Sequence, residues 1–285
     1  MSLGACEIFE VGPRDGLQNE ARDIPVAEKV AFVDCLSRAG FRRIEVGSFV
    51  SPKSVPRMAG SADVFAGIHR ATGVRYAALT PNMRGYADAQ AADADEIAVF
   101  ASASEGFSKA NVNASVDESI ARFAPILEEA RHIDLPVRGY VSCVVACPYD
   151  GAVSPDAVAA VADKLFAMGC YEVSLGDTIG AGTPDSIARM LLKVRDVVPV
   201  GRLAGHYHDT QGRALENIDT SLTMGVRVFD AAAGGLGGCP HAPGASGNVA
   251  TEAVAAHLTA LGYDTGLDLQ VVQEAAAMAK AMQGA

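Results

Sequence analysis

The feature that most constrains this chain is a single alternation repeated from end to end. Short runs rich in β-branched residues alternate with stretches of helical period. The runs are Ile8–Val11, Arg43–Ser48, Arg75–Leu79, Glu96–Ala101, Val137–Cys143, Glu172–Leu175, Leu203–His208 and Arg227–Ala231. Strands separated by helices specify a parallel sheet. Eight such units match a (β/α)₈ TIM barrel. A doubly wound sheet is the competitor, but it needs fewer units, and no Gly-x-Gly-x-x-Gly follows the first run.

Helix signals fall between the runs. Val26–Ala39 closes at Gly40, and the stretch Asp117–Arg131 is bounded by Pro136. Ser154-Pro155 and Thr183-Pro184 each place a hydroxyl cap before a first-turn proline, opening helices to Met168 and Val197. Gln211–Met224 and Gly247–Leu261 end at Gly225 and Gly262, and a further helix, Leu267–Met282, lies beyond the eighth unit. No linker or low-complexity tract interrupts the 285 residues, so a single barrel domain over 1–285 is expected.

A net charge of −11 argues against nucleic acid or an anionic membrane as partner. No secretory leader pattern or membrane-length apolar run is present. Six scattered cysteines in a chain of this size suit a reduced, cytoplasmic protein.

The chemistry-bearing residues gather where the barrel topology puts them, at the C-terminal ends of strands. His206 and His208 lie two apart in a strand-like run and so share a face. With the carboxylate of Asp15 they make a hard-to-borderline divalent-metal site with positions open to substrate. Beside Asp15, Arg14 suits a carboxylate, thioester oxygen or enolate, or else a structural ion pair with Glu45 or Asp177. Glu45 and Asp177 themselves read as support for Arg14 or for the metal site as readily as ligands. Asn248 either caps the helix that follows it or completes the metal site. Cys239 sits in a glycine-rich segment, Gly234 to Asn248, that suits a mobile lid carrying an acid–base group. Lys53 and Lys109, in loops after the second and fourth runs, are candidates to steer a phosphate-rich tail or are ordinary solvated charges. His69, His132 and His257 lie in helical stretches and are read as surface residues.

These residues carry a family resemblance. The segments Gly12-Pro13-Arg14-Asp15-Gly16-Leu17-Gln18-Asn19-Glu20, Phe49-Val50-Ser51-Pro52-Lys53, Leu79-Thr80-Pro81-Asn82, Arg138-Gly139-Tyr140-Val141-Ser142-Cys143, Ser174-Leu175-Gly176-Asp177-Thr178-Ile179-Gly180, His206-Tyr207-His208-Asp209-Thr210 and Gly235-Leu236-Gly237-Gly238-Cys239-Pro240 resemble the 3-hydroxy-3-methylglutaryl-CoA lyase family. The resemblance runs from about residue 7 to residue 270. It implies an Mg²⁺ or Mn²⁺ site of Asp15, His206, His208 and Asn248, with Arg14 at the thioester carbonyl. It further implies Cys239 as an acid–base group on a lid, with Glu45, Asp177, Gln18 and Ser142 as supporting or substrate-side residues. The implied reaction is retro-Claisen cleavage of an acyl-CoA to acetyl-CoA and acetoacetate, with Arg14, Asp15, His206 and Cys239 catalytic, in a homo-oligomer. Ala21, Gly234 and His241 depart from the family pattern, where lysine, alanine and tyrosine are frequent; they bear on acyl or CoA contacts rather than on the metal.

Competing readings are a lyase for a related tertiary-hydroxy acyl-CoA with a longer branch, a Claisen-condensing synthase, and an inert metal- or CoA-binding protein. The cysteine motif counts against the synthase, and the intact polar set against the inert protein.

Overall fold

In the computed structural model, which describes residues 3–237 and 247–283, eight parallel strands close into a TIM barrel. The strands are β1 (Glu7–Glu10), β2 (Arg43–Ser48), β3 (Arg75–Leu79), β4 (Glu96–Ser102), β5 (Val137–Ser142), β6 (Glu172–Asp177), β7 (Leu203–Tyr207) and β8 (Val228–Ala231). Each pairs with its sequence neighbours, and β8 returns to β1 over Glu7↔Val228 to Glu10↔Ala231. Two registers matter for the site: Gly176 and Asp230 both lie opposite His206. Between β2 and β3 the register shifts between Glu45 and Gly47, a bulge beside the site.

The helices are α1 (Val26–Ser37), α2 (Ser61–Gly67), α3 (Met83–Ala91), α4 (Glu105–Val112), α5 (Val116–Ala121), α6 (Ala124–His132), α7 (Pro155–Met168), α8 (Pro184–Val194), α9 (Ala214–Thr223), α10 (Thr251–Leu261) and α11 (Leu269–Met282). The caps read from sequence are in place. Ser154 Oγ accepts from Ala157 N at 3.1 Å, and Thr183 forms a reciprocal box with Ser186. Gly169 and Gly262 end α7 and α10 in the left-handed conformation, which costs glycine nothing.

Three expected helices are corrected. The stretch Asp117–Arg131 is two helices, because Pro125 in the first turn of α6 supplies no N–H to continue α5. The Gln211 stretch starts as α9 only at Ala214, whose N–H is held by Asp209 Oδ1 at 2.9 Å. The Gly247 stretch becomes helical only at Thr251; Asn248 and Ala250 instead bridge to His208 and Ala232. His69 lies just past α2, exposed and bonded to Asp34, rather than within a helix.

The main core fills the layer between strands and helices, with Phe32, Leu36, Ile44, Ile97, Leu165 and Leu175 fully buried. Inside the barrel the apolar content is small: Phe9, Val11 and Ala77 form one cluster, and Leu79, Ala98 and Tyr140 another. The rest of the lumen is polar, and that is where the site is built.

Candidate active site

Immediately after β1 the chain makes a single π-helical turn, Gly12–Gly16, with the N–H groups of Arg14, Asp15 and Gly16 all directed to Val11 O. Such wide turns recur at functional sites. Here they bring Arg14 and Asp15 over the barrel mouth. Arg14 Nε donates to Glu45 Oε2 and Nη1 to Asp15 Oδ1, both at 2.6 Å. Gln18 Nε2 donates to the same Asp15 oxygen at 2.9 Å. Of the two ion-pair partners expected for Arg14, the structure supplies Glu45. Asp177 instead accepts from the N–H groups of Ala181 and Gly182 at 3.1 and 2.7 Å, folding the loop after β6.

Across the mouth, His206 ends up near Asp15, with its Nε2 3.8 Å from Asp15 Oδ2. Its other nitrogen, Nδ1, is 3.1 Å from Asp230 Oδ2. That contact fixes the imidazole orientation and leaves Nε2 facing Asp15. The His206 and His208 rings lie 5.4 Å apart by centroid. Asn248 reaches the group through the bridge to His208, and its Nδ2 donates to Asp15 Oδ2 at 2.8 Å and to Leu236 O at 3.2 Å. The N-cap of α10 is Ala250, so Asn248 does not cap that helix.

Asp15, His206 and His208 meet the geometric requirement for a shared cation, with one ligand atom from each within 4.8 Å of the others. Two further observations fit a metal there. His208 Nδ1 is buried with no hydrogen-bond partner among the described residues. The donor set of carboxylate, two imidazoles and an adjacent amide is the hard-to-borderline mix that suits Mg²⁺ or Mn²⁺.

Electrostatics prepare Asp15 and His208 as ligands and pull His206 the other way. Burial alone would raise the Asp15 pKa, but Arg14, His206, His208 and the Asn248 hydrogen bond together lower it to about 2. Burial, reinforced by the neighbouring His206, lowers His208 to about 4, so it is neutral at pH 7 with a lone pair to donate. Burial opposes protonation of His206 as well, yet its bond to Asp230 and the charge of Asp15 raise it above the ordinary histidine value. Glu45 is shifted the other way for a carboxylate, its burial outweighing Arg14.

Residues the sequence reading did not single out complete the site from below. Asp230, fully buried, accepts from both terminal nitrogens of Arg138 at 2.9 and 2.7 Å and from Ser174 Oγ at 2.8 Å. Tyr140 lies between two guanidinium groups, with Arg14 5.4 Å and Arg138 4.9 Å from its ring centre, and stands edge-on to His206 at 6.2 Å. A signal existed for Arg138 and Asp230: charges inside strands of a buried sheet are costly unless paired. Their partners, however, are distant in sequence.

Ser142, half-buried, closes β5 in register with Gly176. Lys53 is exposed in the turn after β2, and Lys109 is exposed within α4 rather than in the loop expected for it. Cys239 lies outside the described residues, as does most of the glycine-rich segment around it.

Comparison with known proteins points one way. A model of the HMGL-like family matches residues 5–279. The hydroxymethylglutaryl-CoA lyase of Pseudomonas mevalonii is 52% identical over 282 residues, covering 99% of this chain and 94% of the relative. A 3-hydroxy-3-isohexenylglutaryl-CoA/hydroxymethylglutaryl-CoA lyase of Pseudomonas aeruginosa is 57% identical over 268 residues, covering 94% of this chain and 89% of the relative. The crystal structure of the HMG-CoA lyase from Brucella melitensis superposes with a TM-score of 0.98 at 58% identity, covering 99% of this chain and 100% of that one.

Proposed function

The chain belongs to the HMGL-like family, and we propose that it is a divalent-metal-dependent carbon–carbon lyase cleaving 3-hydroxy-3-methylglutaryl-CoA to acetyl-CoA and acetoacetate. The observation that carries this reading is the convergence of Asp15, His206 and His208 at one barrel mouth beside a buried Arg14. The full-length relatives at this identity are lyases. Neither the condensing synthase nor the longer-branched substrate is favoured.

Asp15, His206, His208 and Asn248 would hold the ion, Mg²⁺ or Mn²⁺, which supplies Lewis acidity and so lowers the pKa of a tertiary alcohol. The remaining work falls to the chain's own residues. Deprotonation of the C3 hydroxyl, by Asp15 or His206, sets up cleavage of the C2–C3 bond. The bonding electrons pass to C2 and the thioester, giving acetoacetate and an enolate. Arg14, already charged and aimed by Glu45 and Asp15, stabilises the enolate oxygen. Asp230 holds His206 in one orientation throughout. Cys239 enters on its chemistry alone, as the acid that protonates the enolate carbon to release acetyl-CoA. Gln18 braces Asp15, and Ser142 is read as a supporting or substrate-side residue. Lys53 and Lys109, both exposed, are read as steering the CoA phosphates.

The chain is further read as a single domain over 1–285 and as a homo-oligomer. A cytoplasmic location is supported by free thiols at Cys6, Cys35, Cys143, Cys147 and Cys170. Among the described residues no helix is long and apolar enough to cross a membrane.

The test is acetoacetate release from 3-hydroxy-3-methylglutaryl-CoA with Mg²⁺, with chelator, and in Cys239→Ala. 3-Hydroxy-3-isohexenylglutaryl-CoA serves as the comparison substrate. Metal-dependent turnover that collapses in the variant is expected; a folded, metal-loaded wild type that leaves the methyl substrate intact would overturn the assignment.

A further inference from the structure

Glu10 ends β1 with its side chain outside the barrel. Its neighbours Phe9 and Val11 cluster in the lumen with Ala77, and strand alternation sends Glu10 into the layer between sheet and helices. There its carboxylate is fully buried, and no Lys, Arg or His forms a salt bridge with it among the described residues. A buried carboxylate without a cation is costly and persists only when its hydrogen bonds are well made. It is not used by the chemistry above.

What it does instead is join three segments. Oε1 accepts from Gly12 N at 2.7 Å and from Ala233 N at 3.0 Å; Oε2 accepts from Thr251 Oγ1 at 2.7 Å. Gly12 opens the turn that carries Arg14 and Asp15. Ala233 opens the turn that leaves β8, and Thr251 opens α10 three residues after Asn248. The approach is so close that a Cβ on Gly12 would sit 2.6 Å from Glu10 Oε1, so the glycine there is a condition of the contact. The same two strands of chain meet again above, where Asn248 Nδ2 bonds Asp15 Oδ2 at 2.8 Å. The Asp15 turn and the Asn248 segment, at opposite ends of the sequence, are thus tied at their base by Glu10 and at their tip by each other.

We propose that Glu10 is a positioning residue for the metal-binding group, setting the placement of the Asp15 turn relative to the Asn248 segment from outside the barrel. The proposal rests on the metal-site reading of Asp15, His206, His208 and Asn248. Shape rather than charge carries the effect. A glutamine amide can still accept from Gly12 and Ala233 through its oxygen and can donate to Thr251 through its nitrogen. Alanine loses all three bonds, and Thr251→Val removes one.

The experiment uses full-length wild type, Glu10→Gln, Glu10→Ala and Thr251→Val. Equilibrium Mn²⁺ binding is measured by calorimetry, unfolding midpoints in EDTA, and lyase turnover with the methyl substrate. Glu10→Gln should bind Mn²⁺ like wild type, Glu10→Ala should bind about 10-fold more weakly, as for loss of a ligand-orienting partner, and Thr251→Val should fall between. A folded Glu10→Ala with wild-type Mn²⁺ affinity overturns the proposal, as does a Glu10→Gln as weak as the alanine variant. If Glu10→Ala does not fold, Thr251→Val decides: unchanged Mn²⁺ affinity there overturns it. Wild type that binds Mn²⁺ but leaves the thioester intact would instead fail the lyase reading and leave the Glu10 series interpretable.

Discussion

The two ends of the barrel lumen are built from the same residue types and finished differently. At the floor, Arg43 donates to Glu7, Tyr171 and Glu172, and Arg138 to Glu172 and Asp230. Tyr171 Oη in turn donates a hydrogen bond to Glu96 Oε1 at 2.5 Å. Among the described residues nearly every polar atom there has a partner, Glu96 Oε2 being the exception, with Arg75 3.9 Å away. At the mouth, three buried atoms have none among the described residues: Glu45 Oε1, Tyr140 Oη and His208 Nδ1. A buried polar atom without a partner costs stability. The floor therefore spends its charges on holding the barrel together. The mouth keeps part of its hydrogen-bonding capacity open for a metal and a substrate.

If that contrast is right, the largest stability loss belongs to the floor. Arg138→Met takes the guanidinium away from buried Asp230 and leaves Glu172 with Arg43 alone, and removing one partner of such a group costs about 3–5 kcal/mol. Urea denaturation in the presence of EDTA should show it; a loss below about 1 kcal/mol would break the contrast. At the mouth the corresponding change should fall on rate. Arg14→Gln should lower kcat by roughly 10²–10³ with a smaller change in KM, the scale seen when one preorganised donor is removed. Steady-state kinetics on metal-saturated protein checks it, and a KM effect alone would recast Arg14 as a binding residue.

Smaller in energy, and sharper as a test of the open mouth, is the response to metal. Mn²⁺ at 100 times its Kd should add about 2.7 kcal/mol to wild-type stability and much less to His208→Ala, read as the shift in the thermal midpoint. Equal shifts in both proteins would place the ion elsewhere. The smallest effect separates two tyrosines. Tyr171→Phe breaks the link between Arg43 and Glu96 and should cost about 1–3 kcal/mol. Tyr140→Phe removes a hydroxyl that has no partner among the described residues and should leave the apo protein's stability within about 0.5 kcal/mol of wild type. A Tyr140→Phe loss as large as that of Tyr171→Phe would mean the mouth is as saturated as the floor.

Much of this was legible along the chain. The strand runs, the Ser154 and Thr183 caps and the His206/His208 spacing are local matters of period two, period 3.6 and hydroxyl placement. The failures were also local in appearance but not in cause. Pro125 splits one helical stretch because a missing N–H outweighs favourable periodicity. Asn248 stood open between a helix cap and the metal site, and only its bridge to His208 and its bond to Asp15 decide against the cap. Asp230 was passed over because its meaning lies in Arg138 and His206, strands away.

The sequence by itself determined the eight-unit alternation, the barrel it closes into and the set of residues able to bind a hard divalent ion. Only the tertiary structure decided how those charges are shared: Arg14 to Glu45 and Asp15, Asp177 to its own loop, Asp230 to His206, and Glu10 to the bases of three segments. Periodicity and capping depend on neighbours a few residues away, whereas the pairing of buried charges depends on strand register and barrel closure, which place side chains more than 200 residues apart within hydrogen-bonding distance.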